Sequence, residues 1–199
     1  MSRFNHLSED PQPSDEEIWL ALKDGDRTAL EILFRRHYEG LFQYGLKMCG
    51  RRAVTEDCIQ DLFHKIWRHR NNLSEEVKGV KTYLWTALRR RLVTKLKNNR
   101  RYRKRVDNGR SKIYPAMKLS PEELIVKNEM AISKSKKLTH ALDQLSPRQH
   151  EVLYLKFYEG MSYDEIEQII SISYQTARNH ICEALKVLRV FMTESSQNI

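Results

Sequence analysis

The side chains best suited to reading DNA bases occur together near the end of the chain, in the stretch SYDEIEQIISISYQTARNHICEAL that begins at Ser162. Arg178 and Asn179 are the residue types that form paired hydrogen bonds with guanine and adenine in the major groove. They fall in the first turns of a predicted helix, where recognition helices touch bases. We therefore predict a base-reading surface comprising Tyr174, Gln175, Thr176, Arg178, Asn179 and Lys186.

Two short helices joined by a tight turn must hold that surface in place. The first helix is predicted to pack through Ile166, Ile169 and Ile170, with Ile172 filling the turn. The second helix is predicted to pack through Ala177, Ile181, Leu185 and Leu188. Two helices this close usually form a helix-turn-helix. The motif alone does not separate a repressor or an activator from a polymerase subunit.

A run of basic residues between Thr86 and Lys112 is a second candidate for nucleic-acid contact. Twelve lysines and arginines face a single acid, Asp107, in this segment. They are Arg89, Arg90, Arg91, Lys95, Lys97, Arg100, Arg101, Arg103, Lys104, Arg105, Arg110 and Lys112. Each phosphate neutralised releases counterions, so the run predicts salt-sensitive, sequence-independent affinity rather than an ordinary solvated face. The formal net charge of +9 also favours an anionic partner.

Tyr83 and Trp85 flank Leu84 near the start of the same predicted helix. Adjacent helical positions cannot all point inward, so at least one of the two rings should be partly exposed. Such a ring either covers the edge of the core or provides a platform for an unstacked base. The preceding loop, HRNNLSEEVKG, is polar and long enough to hold a flipped base.

The stretch TEDCIQDLFHKIWRHR predicts a helix with two different faces. One apolar stripe recurs at helical spacing and should be buried: Ile59, Leu62, Phe63, Ile66 and Trp67. The opposite face, called the acidic stripe below, consists of Asp57, Gln60, Asp61 and His64. This stripe is either a solvated surface or a docking face for a partner helix. Its acidic and amide groups are unsuited to DNA.

The composition predicts an all-α protein. Of 199 residues, 40% are hydrophobic, with only seven Gly and five Pro, and no long strand-like alternation occurs. Helices are predicted at 15–24, 28–48, 53–69, 80–104, 121–143, 147–158, 162–169 and 174–192. Capping-box sequences at Ser14, Ser120 and Ser162, and a proline after Ser146, mark four of the starts.

The sequence contains no pattern typical of catalysis or of a cofactor, such as a phosphate-cradling glycine loop or an HExxH motif. Cys49, Cys58 and Cys182 are scattered without a CxxC pair, which disfavours a zinc site and predicts reduced, packed thiols. No apolar run approaches the roughly 20 residues that span a bilayer. We therefore expect a cytoplasmic, non-enzymatic protein without metal or cofactor.

Four segments together resemble the extracytoplasmic-function (ECF) sigma factors, two-domain promoter-recognition subunits of bacterial RNA polymerase. ALEILFRRHYEGLFQYGLKMCG resembles the first conserved helix of the family, and EDCIQDLFHKIW resembles its polymerase-docking helix. VKTYLWTALRRRLVTKLKNN resembles the helix that handles the minus-ten element. The stretch from LDQLSPRQHEVL to CEALKVLR resembles the domain that reads the minus-thirty-five element. The overall form is most similar to family members from Bacteroidota.

The resemblance implies a partner for each surface. The acidic stripe would dock on core RNA polymerase, and the base-reading surface would contact promoter DNA at the minus-thirty-five element. The minus-ten element, with one base captured as melting begins, would be contacted by Asn71, Asn72, Lys81, Tyr83, Trp85, Arg89 and Arg90. The family also implies an anti-sigma factor of the membrane-bound type as a partner.

The resemblance also implies a division of the chain. Residues 1–14 would be a flexible tail, 15–105 a region 2-like domain, 106–120 a flexible linker, 121–192 a region 4-like domain and 193–199 a second tail. Four positions depart from the family: Arg90 stands where Asn is usual, Thr94 where Asp is frequent, Ser171 where Gly is frequent and Glu167 where Ala is frequent. The minus-ten preference of the family therefore does not carry over.

Two other functions compete with this interpretation. A self-sufficient helix-turn-helix regulator would bind duplex DNA tightly without polymerase and would have no use for Asp61. A nucleic-acid-processing enzyme would need clustered carboxylates facing the basic run. Asp57 and Asp61 are the only nearby pair, one helical turn apart on an exposed face, which is weak support for a metal site.

Overall fold

A computed structural model of the chain describes residues 13–75, 77, 79–106, 117, 119 and 140–193, without side chains for 99–106 and 191–193. Every regular element in these ranges is helical, in agreement with the predicted fold class. The described residues fall into two compact units. The predicted tails, and the predicted linker apart from residues 106, 117 and 119, lie outside the described residues.

The first unit contains four helices among the described residues. They are α1 (Asp15–Lys23), α2 (Arg27–Cys49), α3 (Arg52–Arg68) and the first part of α4 (Val80–Val106), with a 3-10 turn at Arg70–Asn72 between α3 and α4. Each helix agrees with its predicted range to within two residues. Side-chain caps mark the starts of α1, at Ser14, and α2, at Asp26, whereas α3 starts without one.

The second unit contains α5 (Pro147–Leu153), α6 (Tyr163–Ile170) and α7 (Tyr174–Thr193), and both α5 and α6 pack against α7. The helix predicted at 147–158 ends as an α-helix at Leu153 and continues as a π turn, Tyr154–Tyr158. Of the helix predicted at 121–143, only residues 140–143 are described, and these are helical.

Capping boxes fix the starts of three helices. At α1 the Ser14 hydroxyl accepts from the Glu17 N–H at 3.2 Å, while the Ser14 N–H donates to the Glu17 carboxylate at 2.8 Å. The same reciprocal bonds join Ser162 to Glu165 at α6, as predicted. Ser146 forms a third box, with Gln149, at α5. The box predicted at Ser120 lies outside the described residues.

Buried stripes on the amphipathic helices build the core of the first unit. The leucines spaced four apart on α4, Leu84, Leu88 and Leu92, are fully buried, and Leu96 is half-buried. On α3 the predicted stripe is buried except for Trp67, which is half-buried. Burial of each such side chain contributes about 1.5–3 kcal/mol, so these stripes fix the rotation of both helices.

The core of the second unit confirms most of the predicted helix-turn-helix packing and corrects one position. Ala177 and Ile181 of α7 are buried, but Leu185 is 39% exposed. Ala184, one position earlier, is buried in its place. Positions 177, 181 and 184 follow the helical spacing of a single narrow stripe, and Leu185 is turned about 100° from Ala184.

The predicted linker has two described residues near its end, and both are buried. They are Met117 and Leu119, and the Leu119 N–H donates to the Nδ1 of buried His150 at 3.3 Å. All three residues belong to the second unit. This part of the predicted linker therefore packs on the second unit.

The three cysteines are free thiols in different environments. Cys58 is buried and Cys49 half-buried, but Cys182 is exposed, so the prediction of packed thiols is wrong for Cys182. Its neighbour Ile181 takes the inward position on α7. Within the described residues, no group of three His, Cys, Asp or Glu side chains could hold a metal ion. No helix in this part of the chain is long and apolar enough to cross a bilayer.

The turn between α6 and α7 depends on Ser171, which has φ 59° and ψ 53° in the left-handed region. Its N–H donates to the Glu167 carbonyl and closes α6. A residue with a Cβ pays of order 1 kcal/mol for this conformation, whereas glycine adopts it freely.

We expect Ser171→Gly to raise the free energy of unfolding of the second unit by about 0.5–1 kcal/mol, because the strain at the turn is relieved. Urea denaturation of the full chain followed by far-UV circular dichroism measures the change. Ser171→Ala keeps the Cβ and the strain, so it should give no gain. Equal stability of the glycine variant and the wild type would contradict this account.

A buried histidine joins α1 to α2. His37, only 6% exposed, lies with its Nε2 2.8 Å from Asp15 Oδ2, and Arg36 bonds the other Asp15 oxygen at 2.7 Å. Burial lowers the pKa of His37 below its ordinary value, although the Asp15 carboxylate opposes the shift; the charges of Arg36 and Lys81 lower it further. The neutral ring donates its Nε2 hydrogen to Asp15 in this arrangement.

The lowered pKa of His37 predicts a loss of stability in mild acid. His37 has a pKa of about 6.5 in the unfolded chain. Below that pH the unfolded chain binds more protons than the folded chain, so the free energy of unfolding decreases as the pH is lowered. His37→Gln should flatten this dependence as the pH falls below about 6.5. All three tryptophans lie in the first unit, so urea titrations read by tryptophan fluorescence isolate it. His69→Gln, at an exposed site, should keep the wild-type slope; an unchanged slope in His37→Gln would refute the assignment.

Candidate nucleic-acid interface

The predicted base-reading surface lies on the first three turns of α7 and is open to solvent. Tyr174, Gln175, Arg178, Asn179 and Lys186 are exposed, and Thr176 is half-buried. The helix starts where it does because the Ser173 hydroxyl accepts from the Thr176 N–H at 3.2 Å. Buried Ala177 and Ile181 turn the opposite side of α7 inward. The predicted residues are therefore brought together on one surface.

Two contacts within this surface position its side chains. The Gln175 side-chain N–H donates to Asn179 Oδ1 at 2.9 Å, which orients the Asn179 amide. The ring of Tyr174 lies 5.3 Å from the ring of Tyr163 on α6. The Gln–Asn bond is exposed and worth only about 0.2–0.5 kcal/mol, so it exchanges readily for a bond to a base.

The basic run on α4 is less uniform than its sequence predicts. Arg90 and Lys97 are exposed, but Arg91 bends back to donate to the Ala87 carbonyl at 3.2 Å. The side chains of Arg100, Arg101, Arg103, Lys104 and Arg105, and all of Arg110 and Lys112, lie outside the described residues. The described part therefore contributes a small basic surface.

Arg89 and Trp85 depart from the predicted minus-ten surface because both are buried, with 8% and 1% of their surface exposed. They lie four residues apart on α4, and Leu92 three residues further completes the same inward stripe. Arginine usually lies in solvent, which is why its type predicts a surface position. Arg89 is buried because it lies on the side of α4 that faces the core. Neither side chain lies on the open surface.

Of the two rings beside Leu84, one is exposed and the other is buried, as helical geometry requires. Tyr83 is 36% exposed, which confirms that at least one ring reaches solvent. The Lys81 ammonium lies over the buried Trp85 ring, 5.3 Å from its centroid. Among the described residues the Trp85 indole nitrogen has no hydrogen-bond partner.

The loop before α4 presents the predicted asparagines. Asn71 and Asn72 are exposed on the 3-10 turn, which is closed by N–H bonds from Asn72 to the His69 carbonyl and from Leu73 to the Arg70 carbonyl. The Arg70 guanidinium stacks over the Trp67 ring at 4.6 Å. The turn therefore has a defined shape although its side chains face solvent.

Sequence reasoning missed the contacts that α1 makes with this loop. The Trp19 indole N–H donates to the Ser74 carbonyl at 3.1 Å, and the Lys23 ammonium pairs with Glu75 at 3.1 Å. These partners are 55 and 52 positions apart in the chain. A periodicity within one helix carries no signal for contacts at such separations.

All four residues of the acidic stripe are exposed on α3, opposite the buried stripe. Asp57 forms an ion pair with Lys95 of α4 at 3.1 Å, and this hydrogen bond raises the pKa of Lys95 above its ordinary value. Both partners are more than a third exposed, so the pair adds little to stability. Asp61, Gln60 and His64 continue the stripe along one side of α3.

Two family descriptions match the chain. Residues 33–102 match Sigma-70 region 2, and residues 135–188 match Sigma-70, region 4. The ECF RNA polymerase sigma factor SigL of Mycobacterium tuberculosis is 22% identical over 165 residues, covering 83% of this chain and 89% of the relative. SigK of Mycobacterium bovis, also described as an ECF RNA polymerase sigma factor, is 24% identical over 149 residues, covering 73% and 77%.

Two solved structures share the fold. The sigma factor RpoE of Bartonella quintana, solved with the anti-sigma factor NepR, has a TM-score of 0.58 at 17% identity and covers 82% of this chain and 96% of its own. CnrH, solved with the cytosolic domain of CnrY, has a TM-score of 0.59 at 16% identity and covers 90% and 97%. The two matched regions occur in this one chain, region 2 before region 4, and the alignments cover 89% of SigL and 77% of SigK. The chain is therefore an RNA polymerase sigma factor of the ECF type, with a sigma-70 region 2 followed by a sigma-70 region 4.

Proposed function

We propose that the chain docks on core RNA polymerase through the acidic stripe of α3 and directs it to promoters by reading two DNA elements. The observation that carries this proposal is the exposed row of acidic and amide groups on a helix whose other face is buried. Such a row repels DNA phosphates, so its partner is a protein. A self-sufficient DNA-binding regulator would have no use for it.

The overall proposal is tested by mixing the purified protein with core RNA polymerase and transcribing a library of promoters. Stable binding, with initiation at a recurring two-part motif, supports it and supplies the sequence of both elements. Tight association with duplex DNA in the absence of polymerase would favour the self-sufficient regulator instead.

Within the acidic stripe, Asp61 is the strongest candidate for a direct polymerase contact. Asp57 already has Lys95 as a partner at 3.1 Å, whereas Asp61 is exposed on the next turn of α3. Complementary charges at interfaces speed association and select the partner, and like charges oppose binding.

Asp61→Arg should weaken binding to core polymerase at least tenfold, because it places a positive charge in the acidic stripe while leaving the buried face of α3 intact. Affinity is measured by fluorescence anisotropy of the labelled full chain, and the fold is checked by circular dichroism. Glu39→Arg is the matched control, a charge reversal at an exposed position on α2. Wild-type affinity in Asp61→Arg would exclude the acidic stripe as the docking face.

The base-reading surface of α7 is assigned to the minus-thirty-five element. Its geometry suits this role, since Arg178 and Asn179 are exposed on the second turn of a helix whose other side packs on α5 and α6. Thr176 and Lys186 lie at the borders of the surface, where phosphate contacts fix the register of a helix in the groove.

Arg178→Ala should cost about 1–3 kcal/mol at one position of the minus-thirty-five element and little at the others, because a bidentate contact discriminates a single base. Binding of the full chain with core polymerase to a set of single-base promoter variants measures this pattern. Arg189→Ala, the same change further along α7, is the control. Its effect on binding should not depend on which promoter base is changed. A uniform loss over all variants would make Arg178 a phosphate contact.

The minus-ten element is assigned to the loop before α4 and the start of that helix. Asn71, Asn72, Tyr83 and Arg90 are exposed there, and Lys81 is half-buried beside them. Polar amides and an exposed ring next to cations suit an unstacked base. Trp85 and Arg89 are buried, so we assign them to the support of this surface rather than to base contact.

We also infer the remaining features that the family resemblance implies. Region 2 and region 4 function as separate domains joined by the linker predicted at 106–120, of which Met117 and Leu119 pack on the second unit. The protein acts in the cytoplasm with core polymerase. The sigma factor RpoE, which has a similar fold, was solved with the anti-sigma factor NepR, which supports an anti-sigma partner here. The membrane-bound type of that partner and the Bacteroidota affiliation stay predictions.

A further inference from the structure

Helix α1 contacts the loop before α4 through Trp19, a residue to which the sequence analysis gave no role. Trp19 is 1% exposed, and its indole N–H donates to the Ser74 backbone carbonyl at 3.1 Å. Ser74 stands two residues after the exposed Asn72. The bond therefore fixes the backbone of the loop close to the side chains assigned to the minus-ten element.

The loop is closed by backbone bonds in its 3-10 turn and by the Arg70–Trp67 and Lys23–Glu75 contacts, but few of its side chains are packed. None of the side chains of residues 69–75 is buried, and only Arg70 and Leu73 are half-buried. A loop with few buried side chains loses conformational entropy when it binds a ligand, and this loss subtracts from affinity. A buried donor that fixes the loop backbone before binding reduces that loss.

The same tryptophan also contacts the exposed ring beside the loop. The rings of Trp19 and Tyr83 meet edge to face, with centroids 5.2 Å apart. One residue therefore touches both the loop backbone and the aromatic side chain on α4. The two contacts tie the backbone at Ser74 and the ring of Tyr83 to the same side chain.

Helix α1 is itself fixed, so the position of Trp19 is well defined. Asp15 at its start binds both Arg36 and His37 of α2, and Lys23 at its end pairs with Glu75 of the loop. Lys23 is only 14% exposed, whereas Glu75 is 78% exposed, so this pair is the weaker of the two attachments.

We propose that Trp19 is a positioning residue for minus-ten recognition: its bond to the Ser74 carbonyl and its contact with Tyr83 hold the loop in the shape that receives one unstacked promoter base. The inference rests on the proposed assignment of the minus-ten element to this loop. Trp19 itself is buried and does not touch the base. Its effect reaches DNA through Ser74 and Tyr83, so it concerns the captured base and not polymerase docking.

The test uses the full chain bound to core polymerase and a single-stranded oligonucleotide carrying the non-template minus-ten sequence of a promoter selected by transcription. Trp19→Phe removes the indole donor and should lower affinity for this strand about 3- to 10-fold. Replacing Trp19 by 3-benzothienylalanine, which keeps the two-ring shape but has sulfur in place of N–H, should give a similar loss with the packing preserved. Affinity for core polymerase should not change.

A merely structural role is excluded by a scan of abasic sites along the oligonucleotide. In the wild type, the abasic site at the captured base should cost the most affinity, and in both Trp19 variants this cost should shrink at that position alone. Thr55→Val is the matched control, because Thr55 is buried in the same unit and its hydroxyl donates to the Arg51 carbonyl at 3.2 Å. It should leave the abasic profile unchanged.

The outcomes separate this inference from the function on which it rests. If the wild-type complex has no preferred position in the abasic scan, the assignment of the minus-ten element to the loop is wrong. If the wild type has one and both Trp19 variants retain its full cost, the positioning role of Trp19 is wrong. The positioning role would also be wrong if the Trp19 variants lost affinity by the same factor at every abasic position, so that their profile had the same shape as that of Thr55→Val.

Discussion

The burial of one apolar stripe on α3 is the constraint on which the arrangement of the first unit depends. Ile59, Leu62, Phe63 and Ile66 face the core, and because an α-helix repeats every 3.6 residues, their burial fixes which residues face away. The acidic stripe is therefore exposed as a consequence of core packing. The same packing sets α4 beside α3, as the Asp57–Lys95 pair illustrates.

In the second unit, the left-handed Ser171 has the corresponding role. It ends α6 three residues before α7 begins, and α6 packs against α7, whose Ala177 and Ile181 are buried. Arg178 and Asn179 are turned outward by the same register. A strained residue at a turn is tolerated here because apolar packing on both sides offsets about 1 kcal/mol of backbone cost.

The loop before α4, to which we assign minus-ten recognition, differs from the other two surfaces because no single helix carries it. It depends on a buried indole N–H from α1, and the exposed ring beside it contacts the same tryptophan. α1 in turn depends on the Asp15 contacts with α2. A change in α1 can thus reach a loop that is more than 50 residues distant in sequence.

The sequence by itself determined the four helices of the first unit, the two helices of the helix-turn-helix, and the capping boxes at Ser14 and Ser162. It also determined the composition of the acidic stripe and the base-reading surface. Each of these is a local pattern of period 3.6 or a three-residue spacing. The sequence did not determine whether a residue at the edge of an apolar stripe is buried or exposed. Arg89 is buried and Leu185 exposed because neighbouring helices decide how wide each buried face is. Nor could it reveal the Trp19–Ser74 bond or the His37–Asp15 pair. Contacts between residues distant in the chain exist only once the helices pack, and only the tertiary structure decided them.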